Sequence, residues 1–190
     1  MSDDLTPGAR RILDVASRLF YERGIHAVGV DLIATESGVT KRTLYDRFRS
    51  KDALVAAYLR ERDERWRHTV TERLAALEDP AARVLAPFDV LTTWLPVDSR
   101  GCAFVNAYAE LPDRAHPARA VIAGGKAWLR ELFRAELAAG GAADPDAAAA
   151  QLLVVHEGAM VAGTSGGMPD ALGAARALAA RIRDGALGRG

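Results

Sequence analysis

Apolar residues recur at helical spacing along almost the whole chain. Ile12, Val15, Ala16, Leu19 and Phe20 form an i, i+3, i+4, i+7, i+8 stripe over residues 10–23, the mark of a helix with one buried face, and Gly24 stops it. Ile33 and Ala34 are the inward positions of a two-turn helix over residues 30–37, and small Ala34 lets the next helix cross closely. Gly38 then supplies a permissive backbone for a tight turn, after which Val39, Leu44 and Phe48 point into the same core from another short helix. Ser50 caps a long helix that carries Leu54, Tyr58, Leu59, Trp66, Val70, Leu74 and Leu77 as far as Glu78, with Asp52 in its first turn suiting the macrodipole.

Asp79-Pro80 is a cap and first-turn pair that opens a second region, and no Ser/Gly-rich linker precedes it. Val84, Leu85, Phe88, Leu91 and Leu95 line the next helix; Pro87 inside it predicts a kink or an early break, and Pro96 ends it. Residues 102–111 form a helix closed by Pro112. Val121, Trp128, Leu129, Leu132, Phe133 and Leu137 place another over residues 117–139, terminated by Gly140-Gly141. Two last helices, residues 145–163 and 169–183, flank Gly166-Gly167 and carry faces rich in small residues such as Ala159, Ala175 and Ala179. With no strand-like alternation or repeat, the pattern predicts an all-α fold of about nine helices.

Chemistry is concentrated in residues 38–51. Removing the inward positions leaves Thr40, Lys41, Arg42, Thr43, Tyr45 and Arg47 outside. From Lys41 to Lys51 there are five basic residues (Lys41, Arg42, Arg47, Arg49, Lys51) and one acid, Asp46, in a chain of 25 Lys and Arg against 25 Asp and Glu. The positive charge is therefore local. Arg and Lys meet phosphates and the guanine O6/N7 edge, while Thr and Tyr hydroxyls donate to backbone oxygens, so this composition on one short helix suits DNA. A basic run of this length alone is also compatible with a solvated surface. Its setting decides between them: long helix, Gly, short helix, Gly-Val turn and basic helix make a three-helix helix-turn-helix module.

These residues resemble the DNA-binding domain of the TetR (tetracycline-repressor type) transcriptional regulators. The resemblance rests on Ala16-x-x-Leu19-Phe20-x-x-x-Gly24, on Ile33-Ala34-x-x-x-Gly38-Val39, and on Thr43-Leu44-Tyr45-x-x-Phe48-x-x-Lys51-x-x-Leu54, covering the first quarter to third of the chain. It implies residues 1–50 as the DNA-binding domain, 51–78 as a connecting helix, and 79–190 as a helical domain for effector binding and dimerisation. Lys41 and Arg42 sit where base-edge contacts are usual, with Thr40 beside them. Thr43, Tyr45, Arg47 and Lys51 sit where phosphate contacts are usual. Two positions depart from the pattern. Val28-Gly29-Val30 replaces the hydroxyl common at the start of the second helix, leaving backbone amides to do its work. Asp31 would repel phosphate unless a cytosine amine or a neighbouring Arg meets it.

The resemblance further implies a homodimer through residues of about 145–184, where the last two helices pair with their mates. One short helix reads too few base pairs, so a two-fold dimer on a palindromic operator is expected, with half-sites about 34–36 Å apart. A small-molecule effector of unstated class is implied in the C-terminal domain. Phe88, Trp94, Phe104, Tyr108, Trp128, His156 and Met160 are its candidate contacts, with Asn106, Glu110, His116 and Glu157 as polar partners. The functional expectation is a repressor released by that effector. A constitutive DNA-binding protein without effector is the alternative, and a small helical enzyme a remoter one.

Composition narrows this little further. The 190 residues are 49% hydrophobic and 26% charged, which excludes an extended disordered chain. Residues 1–9 read as a mobile arm, acidic at its tip, with Thr6-Pro7 as a cap just ahead of the first helix and no signal peptide; the apolar run near Leu152 is broken by His156-Glu157. One cysteine, Cys102, allows no internal disulfide, and no Cys/His spacing suggests zinc, so the expected compartment is the cytoplasm and no cofactor or metal is expected. Cys102 with His116 or His156, and the adjacent His156-Glu157, are the only catalytic-looking combinations. No triad motif accompanies them, and neighbouring helical side chains diverge by about 100°.

Overall fold

The computed structural model describes residues 5–95 and 100–189. Among these there are nine helices and no strand: α1 (Pro7–Arg23), α2 (Val30–Ser37), α3 (Lys41–Phe48), α4 (Lys51–Ala75), α5 (Pro80–Trp94), α6 (Ala103–Glu110), α7 (Pro117–Ala139), α8 (Pro145–Thr164) and α9 (Ala171–Ala186). Pro96, expected to end the fifth helix, and the acidic tip of the N-terminal arm lie outside the described residues.

Local chemistry accounts for most boundaries. The Thr6 hydroxyl accepts the Ala9 amide at 3.4 Å with Pro7 in the first turn, so α1 begins inside the expected arm. Ser50 Oγ accepts from Ala53 N–H at 3.0 Å at the head of α4, and Asp79 Oδ1 from Ala81 N–H at 3.0 Å at the head of α5. Gly38 adopts φ 65°, ψ 32°, the left-handed conformation that lets its amide and that of Val39 return to the last carbonyls of α2. Of the kink or early break predicted at Pro87, the break does not occur: α5 runs through it. Pro87 donates nothing to the Arg83 carbonyl, but it is buried with Val84, Leu85, Ala86 and Phe88, and that packing offsets the lost bond.

The described chain divides into two compact units. The first holds α1, α2, α3 and the start of α4 up to Arg65, joined by Ala103–Ala123, which is α6 and the first turns of α7. Its core is Ile12, Ala16, Leu19, Phe20, Ile33, Leu44, Phe48, Leu54 and Leu59, closed by Ala103, Ala107, Leu111, Ala118 and Ile122 from the later segment. The division drawn at residue 78 from sequence thus omits α6, whose apolar positions pack in this core.

The second unit holds the rest of α4, α5, the remainder of α7, α8 and α9. Val84, Leu85, Phe88, Leu129, Phe133, Leu137 and Leu152 fill its interior, and Ala149, Ala159, Ala175 and Ala179 let α8 and α9 approach closely. Ala175 and Ala179 are 8% and 0% exposed, so the small positions expected to face a second subunit serve this chain's own core. The large apolar residues that α8 and α9 leave exposed are Val154, Val161 and Leu178. Among the described residues no helix is long and apolar enough to cross a membrane.

Candidate nucleic-acid interface

The site is built on α2 and α3. Leu44 and Phe48 anchor α3 in the first core with Val39 packed beside them, which fixes the helix's rotation about its own axis. Thr40, Lys41, Arg42, Tyr45 and Arg47 are consequently exposed and Thr43 half-buried. Thr40 is also the N-cap: its hydroxyl accepts from Thr43 N–H at 3.1 Å and lies 2.9 Å from the Thr43 hydroxyl. Arg42 reaches furthest, with its side chain 91% exposed and Nε 4.0 Å from Asp46.

Asp31 finds its partner in Lys41, whose Nζ lies 2.9 Å from Oδ1. That hydrogen bond holds the Lys41 ammonium above its ordinary range. The pair is exposed, so it stabilises the free protein little, but it removes a bare carboxylate from the face that carries the cations. At the start of α2 Gly29 offers no side-chain cap, leaving first-turn amides for an outside acceptor.

Lys51 stands apart from the other six. It is half-buried, and Nζ donates to the Ile25 carbonyl at 2.7 Å; burial pushes its ammonium down from the ordinary lysine range. Lys51→Ala should therefore destabilise the DNA-free protein by about 1–3 kcal/mol, because the carbonyl loses its partner. A side chain that only met phosphate would leave the unfolding midpoint of the free protein unchanged, and thermal unfolding without DNA separates the two.

The residues expected at an effector site do not all fall together. Phe88, Trp94, Trp128, His156 and Met160 belong to the second unit, whereas Phe104 and Tyr108 are part of the first, Tyr108 being 54% exposed beneath the Arg119 guanidinium. In the second unit the focus is His156, 2% exposed, with Phe88, Trp66 and Phe133 at ring-centroid distances of 5.5, 5.7 and 6.4 Å. Trp94 stacks edge-on against Trp66 at 5.3 Å. Trp66 and Phe133 read from sequence only as apolar helix positions; nothing local marks them as neighbours of His156. Of the expected polar partners, Glu110 and His116 hold groups of the first unit, while Glu157 stays beside His156 and its Oε2 accepts from Lys126 Nζ at 2.6 Å.

The His156 and Glu157 side chains, expected to diverge, do meet: Nδ1 and Oε1 are 3.4 Å apart, because the long Glu157 side chain curls back. Nε2 has no hydrogen-bond partner among the described residues. Burial pushes the imidazole pKa down from 6.5, and the Glu157 hydrogen bond only partly opposes it. A histidine held neutral in the fold protonates first in the unfolded chain, so stability falls as pH drops below 6.5 toward the depressed folded value. Replacing His156 with Phe should flatten that part of the profile, measured by urea unfolding between about pH 5 and 8. Cys102 Sγ lies 3.7 Å from Lys126 Nζ, and His116 Nδ1 accepts from Ala118 N–H.

Two short helices joined through a glycine turn, the second presenting hydroxyl and basic side chains to solvent, define a DNA-binding helix-turn-helix protein. Residues 12–58 match the model of the bacterial regulatory proteins of the tetR family. A TetR-family transcriptional regulator from Streptomyces coelicolor is 34% identical, aligned over 96% of this chain and 95% of that one with a TM-score of 0.81. A putative TetR transcriptional regulator from Streptomyces avermitilis is 33% identical over 96% and 98%, with a TM-score of 0.82. Among curated proteins, the HTH-type transcriptional activator FasR of Mycolicibacterium smegmatis is 34% identical over 104 residues, 54% of this chain and 48% of its own. An uncharacterized HTH-type regulator of Mycobacterium tuberculosis is 38% identical over 77 residues, 40% and 38%. The chain thus spans less than half the length of these curated relatives. It belongs to the TetR family of transcriptional regulators, and its DNA-binding element is the helix-turn-helix of α2 and α3.

Proposed function

We propose that this regulator binds a palindromic operator as a homodimer and represses transcription until a small molecule releases it. The observation that carries the reading is the face of α3: Thr40, Lys41, Arg42, Tyr45 and Arg47 are exposed while Leu44 and Phe48 are buried, which leaves that face free for a major groove. In this reading Lys41 and Arg42 read base edges, Thr40 lies beside them, and Thr43, Tyr45 and Arg47 meet phosphates. The amide end of α4 at Lys51 faces the same backbone.

Dimerisation follows from the short reach of one such helix and from the apolar stripe that α8 and α9 expose. Val154 and Val161, one heptad apart, are 71% and 47% exposed, and Leu178 is 39% exposed. The effector reading rests on the His156 cluster, where a buried nitrogen without a partner is surrounded by rings. A ligand that binds the released form better than the operator-bound form lowers DNA affinity by the same factor by which DNA lowers its own.

Selection of bound DNA from a random library tests the operator: two inverted half-sites support the dimer, and a single half-site refutes it. Thermal-shift screening of small aromatic and apolar compounds, followed by operator release, tests the effector, and operator binding indifferent to every stabilising compound would favour the constitutive reading. A reporter driven from the recovered operator distinguishes repression from activation, the role that FasR's name gives that relative.

A further inference from the structure

The turn between α1 and α2 is held by two charged side chains from later in the chain. Gly24 ends α1 at φ 90°, and the Ile25 and His26 amides follow it in the turn. Glu110, the last residue of α6, takes them: its Oε2 accepts from His26 N–H at 2.7 Å, with His26 Nδ1 3.5 Å from the same oxygen. Burial opposes the charged carboxylate, but the His26 and Ile25 amides outweigh it and hold its pKa below the usual range. The approach depends on residue 24 having no side chain, since a Cβ there would lie 3.0 Å from Glu110 Oε1. Lys51 Nζ holds the Ile25 carbonyl at 2.7 Å.

Glu110 is itself firmly placed. Arg119, in the first turn of α7, donates to the Leu111 carbonyl, and its guanidinium lies 4.2 Å over the Tyr108 ring. His116 Nε2, in the loop between α6 and α7, is 3.4 Å from Asp52 Oδ1 at the head of α4. A segment remote in sequence therefore ends in a fixed carboxylate at the turn from which α2 departs, and α3 packs on α2.

We infer that Glu110 is a positioning residue for DNA recognition: it fixes the Gly24–His26 turn, and with it the angle at which α2 and α3 meet the duplex, without touching DNA. The inference rests on α3 entering the groove. It assigns Glu110 to the DNA-binding head, not to the effector.

The test uses the full chain and the operator recovered by selection. Glu110→Gln keeps the side chain's length and one acceptor oxygen but loses the charge. It should weaken operator binding about tenfold, the scale of one charge-assisted hydrogen bond, with the wild-type salt slope because no phosphate contact is removed. Amide hydrogen exchange should quicken at Ile25 and His26 and stay unchanged along α7. Glu110→Ala should lose more. Wild-type affinity in both variants overturns the inference, as does exchange that rises uniformly with affinity falling only in proportion to the unfolded fraction. Should Lys41→Ala and Arg42→Ala both bind like wild type, the groove assignment of α3 fails instead, and exchange at Ile25 and His26 still decides the role of Glu110 in the turn.

Discussion

Val154→Asp should yield a monomer that no longer binds the operator tightly. Val154 is 71% exposed in the isolated chain, so a carboxylate there remains in water and leaves the subunit's fold intact. In a two-fold dimer through α8 and α9 the same position faces its own mate's surface, and each substitution counts twice. Burying an unpaired carboxylate costs several kcal/mol, which exceeds what one exposed apolar stripe returns. Losing the second half-site then removes avidity of about 10²–10⁴. Sedimentation velocity and operator titration measure the two effects. A dimeric variant with wild-type affinity would place the interface elsewhere. Ala179→Asp is the contrasting control: at 0% exposure it buries a charge inside the subunit and should unfold it, not dissociate it.

The second large effect is expected at Arg42. Its side chain is 91% exposed near the start of α3, and Asp46 at 4.0 Å is too far to bind it firmly. A free guanidinium in that position can take both acceptors of a guanine, so Arg42→Ala should cost about 1–3 kcal/mol and lose preference at one base position in each half-site. Arg42→Lys keeps the charge but not the fork, and should not restore that preference. Titration against operators altered one base at a time reads both. Equal discrimination by wild type and Arg42→Ala would mean that another residue reads the base.

What the chain reveals before folding is what neighbouring residues settle among themselves. The apolar period of α1, the Thr6, Ser50 and Asp79 caps and the left-handed Gly38 turn each depend on groups within one or two turns of helix, so their pattern carries their structure. The exposed face of α3 is legible for the same reason, because Leu44 and Phe48 fix its rotation. Other assignments depended on which apolar face meets which. Periodicity marks Ala175 and Ala179 as one face but not whether that face packs on α8 of the same chain or on a second copy, and the tertiary structure chose the first. It likewise placed α6 with the DNA-binding head and carried α5 through Pro87. The polar contacts were the least legible. Lys51 reaches a carbonyl 26 residues back and Glu110 an amide 84 residues back. Long charged side chains find their partners only after the backbone has been packed, and no local pattern records where they end.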